Sequence, residues 1–132
     1  MKDRLDLVHG WVRKAESDLV ALDASLGAGA FDAACFHAQQ AAEKYVKAFL
    51  IYSDLDFPFS HNLFKLTELC RDSDPSFQVL LPVVQPLTPY AVELRYNTSF
   101  WPSKEQAERA RASALEVRNF VIARLPKEIQ SE

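Results

Sequence analysis

The stretch HAQQAAEKYVKAFL, from His37 to Leu50, sets His37, Gln39, Gln40, Glu43, Lys44 and Lys47 among alanines. On an ideal helical wheel these six polar residues fall within an arc of roughly 160°. Ala34, Ala38, Ala41, Ala42, Tyr45, Val46, Ala48 and Phe49 take the other side. Two more polar features stand apart, His61 in SHNL and the pair Arg95-Tyr96 in ELRYN. Lysine and arginine donate charge-assisted hydrogen bonds to phosphate or carboxylate oxygens, and histidine exchanges protons near neutral pH. Each feature also has a plain structural reading. The helix face could be solvated surface, with Glu43–Lys47 an i,i+4 pair worth about a few tenths of a kcal/mol. His61 could sit in the first turn of its helix. Arg95 could complement a helix macrodipole, and Tyr96 could be a core aromatic.

Other chemistries find no support in the spacing. Cys35 and His37, two apart on a helix, diverge by about 200° and cannot share an ion. His9 and His61 have no local partner at ligand spacing, and no paired Glu-x-x-His motif is present. No metal and no cofactor is expected. The chain has no phosphate-binding glycine loop, no dinucleotide fingerprint and no nucleophile elbow. Cys35 and Cys70 read as small hydrophobes of a reducing compartment. The sequon at Asn97 has no consequence without secretion.

The bulk numbers fit a single globular domain over residues 1–132, with 48% apolar and 25% charged residues. A net charge of −3 argues against a protein that coats nucleic acid through a general positive field. No apolar run approaches bilayer length and the start has no signal-peptide core, so a cytoplasmic protein without membrane association is expected.

Helical periodicity supplies the frame for these residues. From about Asp3 to Leu26, Leu5, Val8, Val12, Ala15, Leu19, Leu22 and Leu26 share an arc of about 120°, with Trp11 at its edge. Gly27 and Gly29 bracket Ala28 and mark a break. The second helix runs from Phe31 to Tyr52, and its many small residues let another helix approach closely. Ser60 is the expected N-cap of a short third helix that buries Leu63, Leu66 and Leu69 and ends near RDSDPS. Pro82, Pro86 and Pro89 forbid one continuous helix through the next segment. A short apolar piece over 77–84 is expected there, then a helix opened by Thr88 as N-cap and Pro89 at N1 and reaching Tyr96. Ser103 and Gln106 match a capping box for the last helix, which buries Ala107, Ala110, Ala114, Val117, Phe120 and Val121. That helix is expected to run to about Leu125, ahead of Pro126. The fold class is all-α, an up-and-down bundle of four main helices plus a short fifth.

Taken in order, WVRKAESDLVAL, ACFHAQQAAEKYVKAFLIYSD, FPFSHNL and YAVELRYN resemble the HEPN domain family (higher eukaryote and prokaryote nucleotide-binding). The resemblance covers Trp11 to about Ala123. It implies a helical bundle similar to the C-terminal domain of kanamycin nucleotidyltransferase, usually a homodimer and often encoded beside a minimal nucleotidyltransferase. Some members are metal-independent ribonucleases with an Arg-x4–6-His motif. Counting from Arg95, that histidine would fall at Phe100, Trp101 or Pro102, and none of these transfers a proton.

The resemblance therefore implies a binding protein rather than a catalyst. Under it, Gln40, Lys44 and Lys47 face a partly enclosed polar surface where the lysines can hold phosphate oxygens. Arg95 would offer a bidentate fork, and Tyr96 or Trp101 a flat face for a base. His61 would join the same surface. Asp18, at the margin of the first helix's apolar arc, would orient one of the cations, or else stand as a surface acid near Lys14. Two alternatives remain open. One is an RNA-cleaving toxin component of a toxin–antitoxin pair, using Arg95 with His61 or His37. The other is a structural dimer that positions a partner, without a small-molecule site. A homodimer is expected on residues as well, because Trp11, Phe57, Phe59, Phe100 and Trp101 are many large apolar side chains for one small protomer to cover.

Overall fold

A computed structural model describes residues 3–130, which form an all-α bundle. Three helices are long: α1 (Arg4–Gly27), α2 (Phe31–Tyr52) and α6 (Lys104–Ile122). Between them lie α3 (Leu63–Cys70), a 3-10 turn (Pro75–Leu80), α4 (Leu81–Val84) and α5 (Tyr90–Tyr96). A last turn, α7, covers Lys127–Gln130.

Helix α2 is the central element, packed along α1 on one side and α6 on the other. Its alanines explain this placement. Ala34, Ala38, Ala41, Ala42 and Ala48 are fully buried and let both neighbours approach, while Tyr45, Val46, Phe49 and Leu50 fill the space between them. Val8, Val12, Ala15 and Leu22 of α1 and Ala107, Ala114, Val117 and Val121 of α6 close the core. Cys35 and Cys70 are both free and buried. Burial pushes the Cys35 thiol up to about 11, against a lowering hydrogen bond from Tyr90, so it stays a neutral hydrophobe.

The breaks between helices follow backbone chemistry. Gly29, at φ 78°, takes the left-handed position after α1, and the amides of Gly29 and Ala30 close back on Leu26 and Ser25. Asp54 does the same after α2 at φ 57°, with Leu55 bonded back to Leu50. The capping box forms as the sequence predicts: Gln106 N donates to Ser103 Oγ at 3.1 Å and Ser103 N to Gln106 Oε1 at 2.7 Å.

Three boundaries differ from the sequence reading. Asn62, not Ser60, caps α3, its Oδ1 accepting from Lys65 N at 3.1 Å. Ser60 Oγ instead accepts from Asn62 N, which leaves His61 in the loop ahead of the cap rather than in the helix. Thr88 does not cap α5, because its hydroxyl donates back to Val84 O at 2.9 Å and the helix opens at Tyr90. Helix α6 ends at Ile122, and a turn carries the chain through Leu125 to Pro126.

Candidate functional site

The polar side chains of α2 stand on adjoining rows, with 39, 43 and 47 on one and 37, 40 and 44 on the next. From His37 to Lys47 the rows extend about 15 Å along the axis. This face is not solvated surface. Gln39 is fully buried, Glu43 is 2% exposed and Lys47 is 5% exposed.

Two carboxylates organise the stripe. Glu43 accepts from Gln39 Nε2 at 3.0 Å and Lys47 Nζ at 2.9 Å, and pairs with His61 Nδ1 at 2.9 Å. Gln40 Nε2 donates to Gln39 Oε1 at 2.6 Å and so joins the same network. Desolvation acts to raise the Glu43 carboxyl, but the bonds from Lys47, Gln39 and His61 together outweigh it and hold the group below its ordinary value. The second carboxylate comes from α1. Asp18, 8% exposed, meets His37 Nδ1 at 2.9 Å through Oδ1 and accepts from Lys44 Nζ at 2.5 Å through Oδ2. It therefore serves α2 rather than standing as a surface acid beside Lys14.

Each carboxylate thus holds one imidazole and one ammonium. In both cases the ring turns Nδ1 toward the acid, so a proton on Nδ1 leaves Nε2 as acceptor. Both imidazoles keep solvent contact, with side chains 30% and 48% exposed at His37 and His61. The loop position of His61, set by the Asn62 cap, is what lets it reach α2.

Aromatic rings flank the Lys47 end. Its ammonium stands 5.5 Å from the Trp11 ring centroid and 6.0 Å from that of Phe59. Phe59 is 99% exposed. Arg95, in the last turn of α5, lies at the opposite end. Its guanidinium sits 5.5 Å over the Phe36 ring, and it lines a cavity of about 220 Å³ with His37, Phe36 and Asp32.

The structure therefore gathers Asp18, Gln40, Lys44, Lys47 and His61 on one stripe and sets Arg95 at its His37 end. Tyr96 is exposed and makes no ring contact with the stripe among the described residues, and the same holds for Trp101. Sequence reasoning left Gln39, Glu43, Trp11 and Phe59 out of the candidate site. The available signal was the i,i+4 ladder Gln39–Glu43–Lys47, which makes Glu43 the hub.

Fold and site together define a small helical domain built on a polar, partly enclosed central helix. The chain belongs to the HEPN domain family, which matches residues 8–128. Among solved structures it is similar to ST0689, an archaeal HEPN homologue, at 24% identity and a TM-score of 0.72, covering 94% of this chain and 98% of that one. It is also similar to TT1696 from Thermus thermophilus, at 25% identity and a TM-score of 0.75, covering 89% and 98%. No curated protein matches the chain. Among the described residues no helix is long and apolar enough to cross a membrane, and no group of three or more His, Cys, Asp or Glu is placed to hold a metal.

Proposed function

We propose that the α2 stripe binds a nucleotide or nucleotidyl-bearing ligand, and that the chain acts as a homodimeric partner of a separate minimal nucleotidyltransferase. The observation that carries the binding part is the burial of Gln39, Glu43 and Lys47 in one hydrogen-bonded network, on a helix face that also carries the part-exposed Lys44. Burying charge is costly, and apolar residues of similar volume would serve packing at least as well. Supporting the reading, Lys44 keeps part of its side chain in solvent and Arg95 is exposed, so both have donors for phosphate oxygens. Lys47 is committed to Glu43 and acts by fixing the network. The partnership rests on family membership alone, and the dimer on family membership together with the exposed Phe59 and Trp101. Titration calorimetry with ATP and GTP tests the binding part. Saturable heat that weakens at least tenfold in Lys44→Ala and Arg95→Ala is expected. Identical isotherms in wild type and both variants would contradict it.

A second reading has one observation in its favour. His37, oriented by Asp18, shares a cavity with Arg95, which sets an imidazole beside an exposed cation. His61 lies at the other end and is not brought to Arg95. The test is incubation with mixed RNA without metal. No cleavage is expected, and cleavage that disappears in His37→Ala would promote the RNA-cleaving reading over the binding one.

A further inference from the structure

Gly10 sits inside the 24-residue helix α1, a position where glycine is less favourable than alanine. A Cβ added there meets nothing within 4 Å, and its backbone is ordinary helix, so neither packing nor conformation requires glycine. Gly10 instead floors a groove of about 460 Å³ walled by Leu7 and Trp11 and rimmed by Lys14, Lys44 and Asp6. Leu7 is 43% exposed along this wall. A second hollow of about 410 Å³ adjoins it on the row Gly10, Arg13, Lys14 and Ser17. Neither Arg13 nor Lys14 forms an ion pair with another described residue. The groove meets the stripe directly, because Lys44 belongs to both and Trp11 carries Lys47 over its ring.

We infer that this groove seats the flat ring of the nucleotide bound by the stripe, with the ring laid against Trp11 over the bare Gly10 backbone. The inference rests on the nucleotide-binding reading above. A missing Cβ permits van der Waals approach of a planar ligand to the helix, which any side chain would hold off. Tryptophan offers a stacking face that accepts any base. Lys14 and Lys44 then stand at the rim for the phosphate end. Lys44 is balanced by Asp18, so the positive charge that outweighs Asp6 and suits an anionic ligand comes from Lys14 with Arg13 of the adjoining hollow. The volume falls within the range of small-molecule sites.

Fluorescence tests this. The chain has two tryptophans, so in a Trp101→Phe background selectively excited tryptophan emission comes from Trp11 alone. Titrating ATP should quench it. Gly10→Leu fills the groove and should weaken ATP binding at least tenfold, while inorganic triphosphate, which has no ring, should bind as to wild type. Gly10→Ala should raise the melting temperature and still weaken ATP, separating binding from folding. If ATP binds Gly10→Leu within twofold of wild type, or binds without changing Trp11 emission, the ring lies elsewhere. The inference then fails while the nucleotide-binding reading stands. If ATP does not bind at all, that reading fails and takes the inference with it. Trp11 emission that follows protein concentration instead of ATP would assign the groove to a second copy of the chain and overturn the inference.

Discussion

Truncating Lys47 to alanine should cost the fold about 3 kcal/mol, at the low end of the range for breaking a buried ion pair. The magnitude follows from the surroundings. The Glu43 and Lys47 side chains are 3% and 7% exposed, with Nζ and Oε2 2.9 Å apart, so little water screens the pair. Without Lys47 the carboxylate of Glu43 stays buried, and only Gln39 and His61 remain to satisfy it. Those two partners are the reason to expect the lower end. A urea titration followed by circular dichroism measures the effect. The midpoint should fall while the slope holds, because the surface exposed on unfolding is unchanged. At about 4 °C per kcal/mol for a domain of this size, the melting temperature should drop by about 12 °C. Replacing the pair together, as Glu43→Leu with Lys47→Met, should recover most of the loss, since an apolar pair of similar volume leaves no charge uncompensated. A Lys47→Ala variant within about 0.5 kcal/mol of wild type would show the pair behaving as an exposed one, with nothing added by its burial.

Two further outcomes are expected. The Glu43 carboxyl is held below its ordinary value of 4.5, so its stabilising contribution is complete above that pH and is lost as pH falls through the lower folded value. Stability measured from pH 7 down to pH 3 should therefore decline less steeply in Glu43→Gln than in wild type, and equal slopes would remove Glu43 from the acid transition. Phe59 and Trp101, 99% and 72% exposed, leave apolar surface for self-association, and light scattering should give a dimer at micromolar concentration. A monomer mass would contradict this.

The long helices were legible because their signals are local. The apolar row of α1, the alanine face of α2, the glycine break between them and the Ser103–Gln106 box each lie within a turn or two of sequence. The caps at Ser60 and Thr88 were misplaced for a physical reason. SHN offers more than one capping side chain, and a threonine hydroxyl can return to the preceding turn as readily as it caps the next. Site membership was harder to read. Polarity suggests solvent, yet Gln39 and Glu43 are buried because His61 and the rest of the network satisfy them from the protein side. Asp18 lies 19 residues from His37 and 26 from Lys44, and Trp11 reaches Lys47 across the α1–α2 contact. No periodicity within a helix reports such pairings. They follow from the antiparallel register of two helices, which only the fold sets.

If the α2 stripe holds a nucleotide, a thermal scan with ligand reads the binding out without a label. ATP at about 100 times its dissociation constant should stabilise the wild type by about 2.7 kcal/mol, a rise of several degrees in melting temperature. The rise should shrink in Lys44→Ala and Arg95→Ala, persist in Lys127→Ala, which lies in α7 away from the stripe, and diminish in high salt. A wild-type melting temperature unmoved by ATP, GTP and short oligonucleotides alike would rule out nucleotide binding and return the stripe to a structural role.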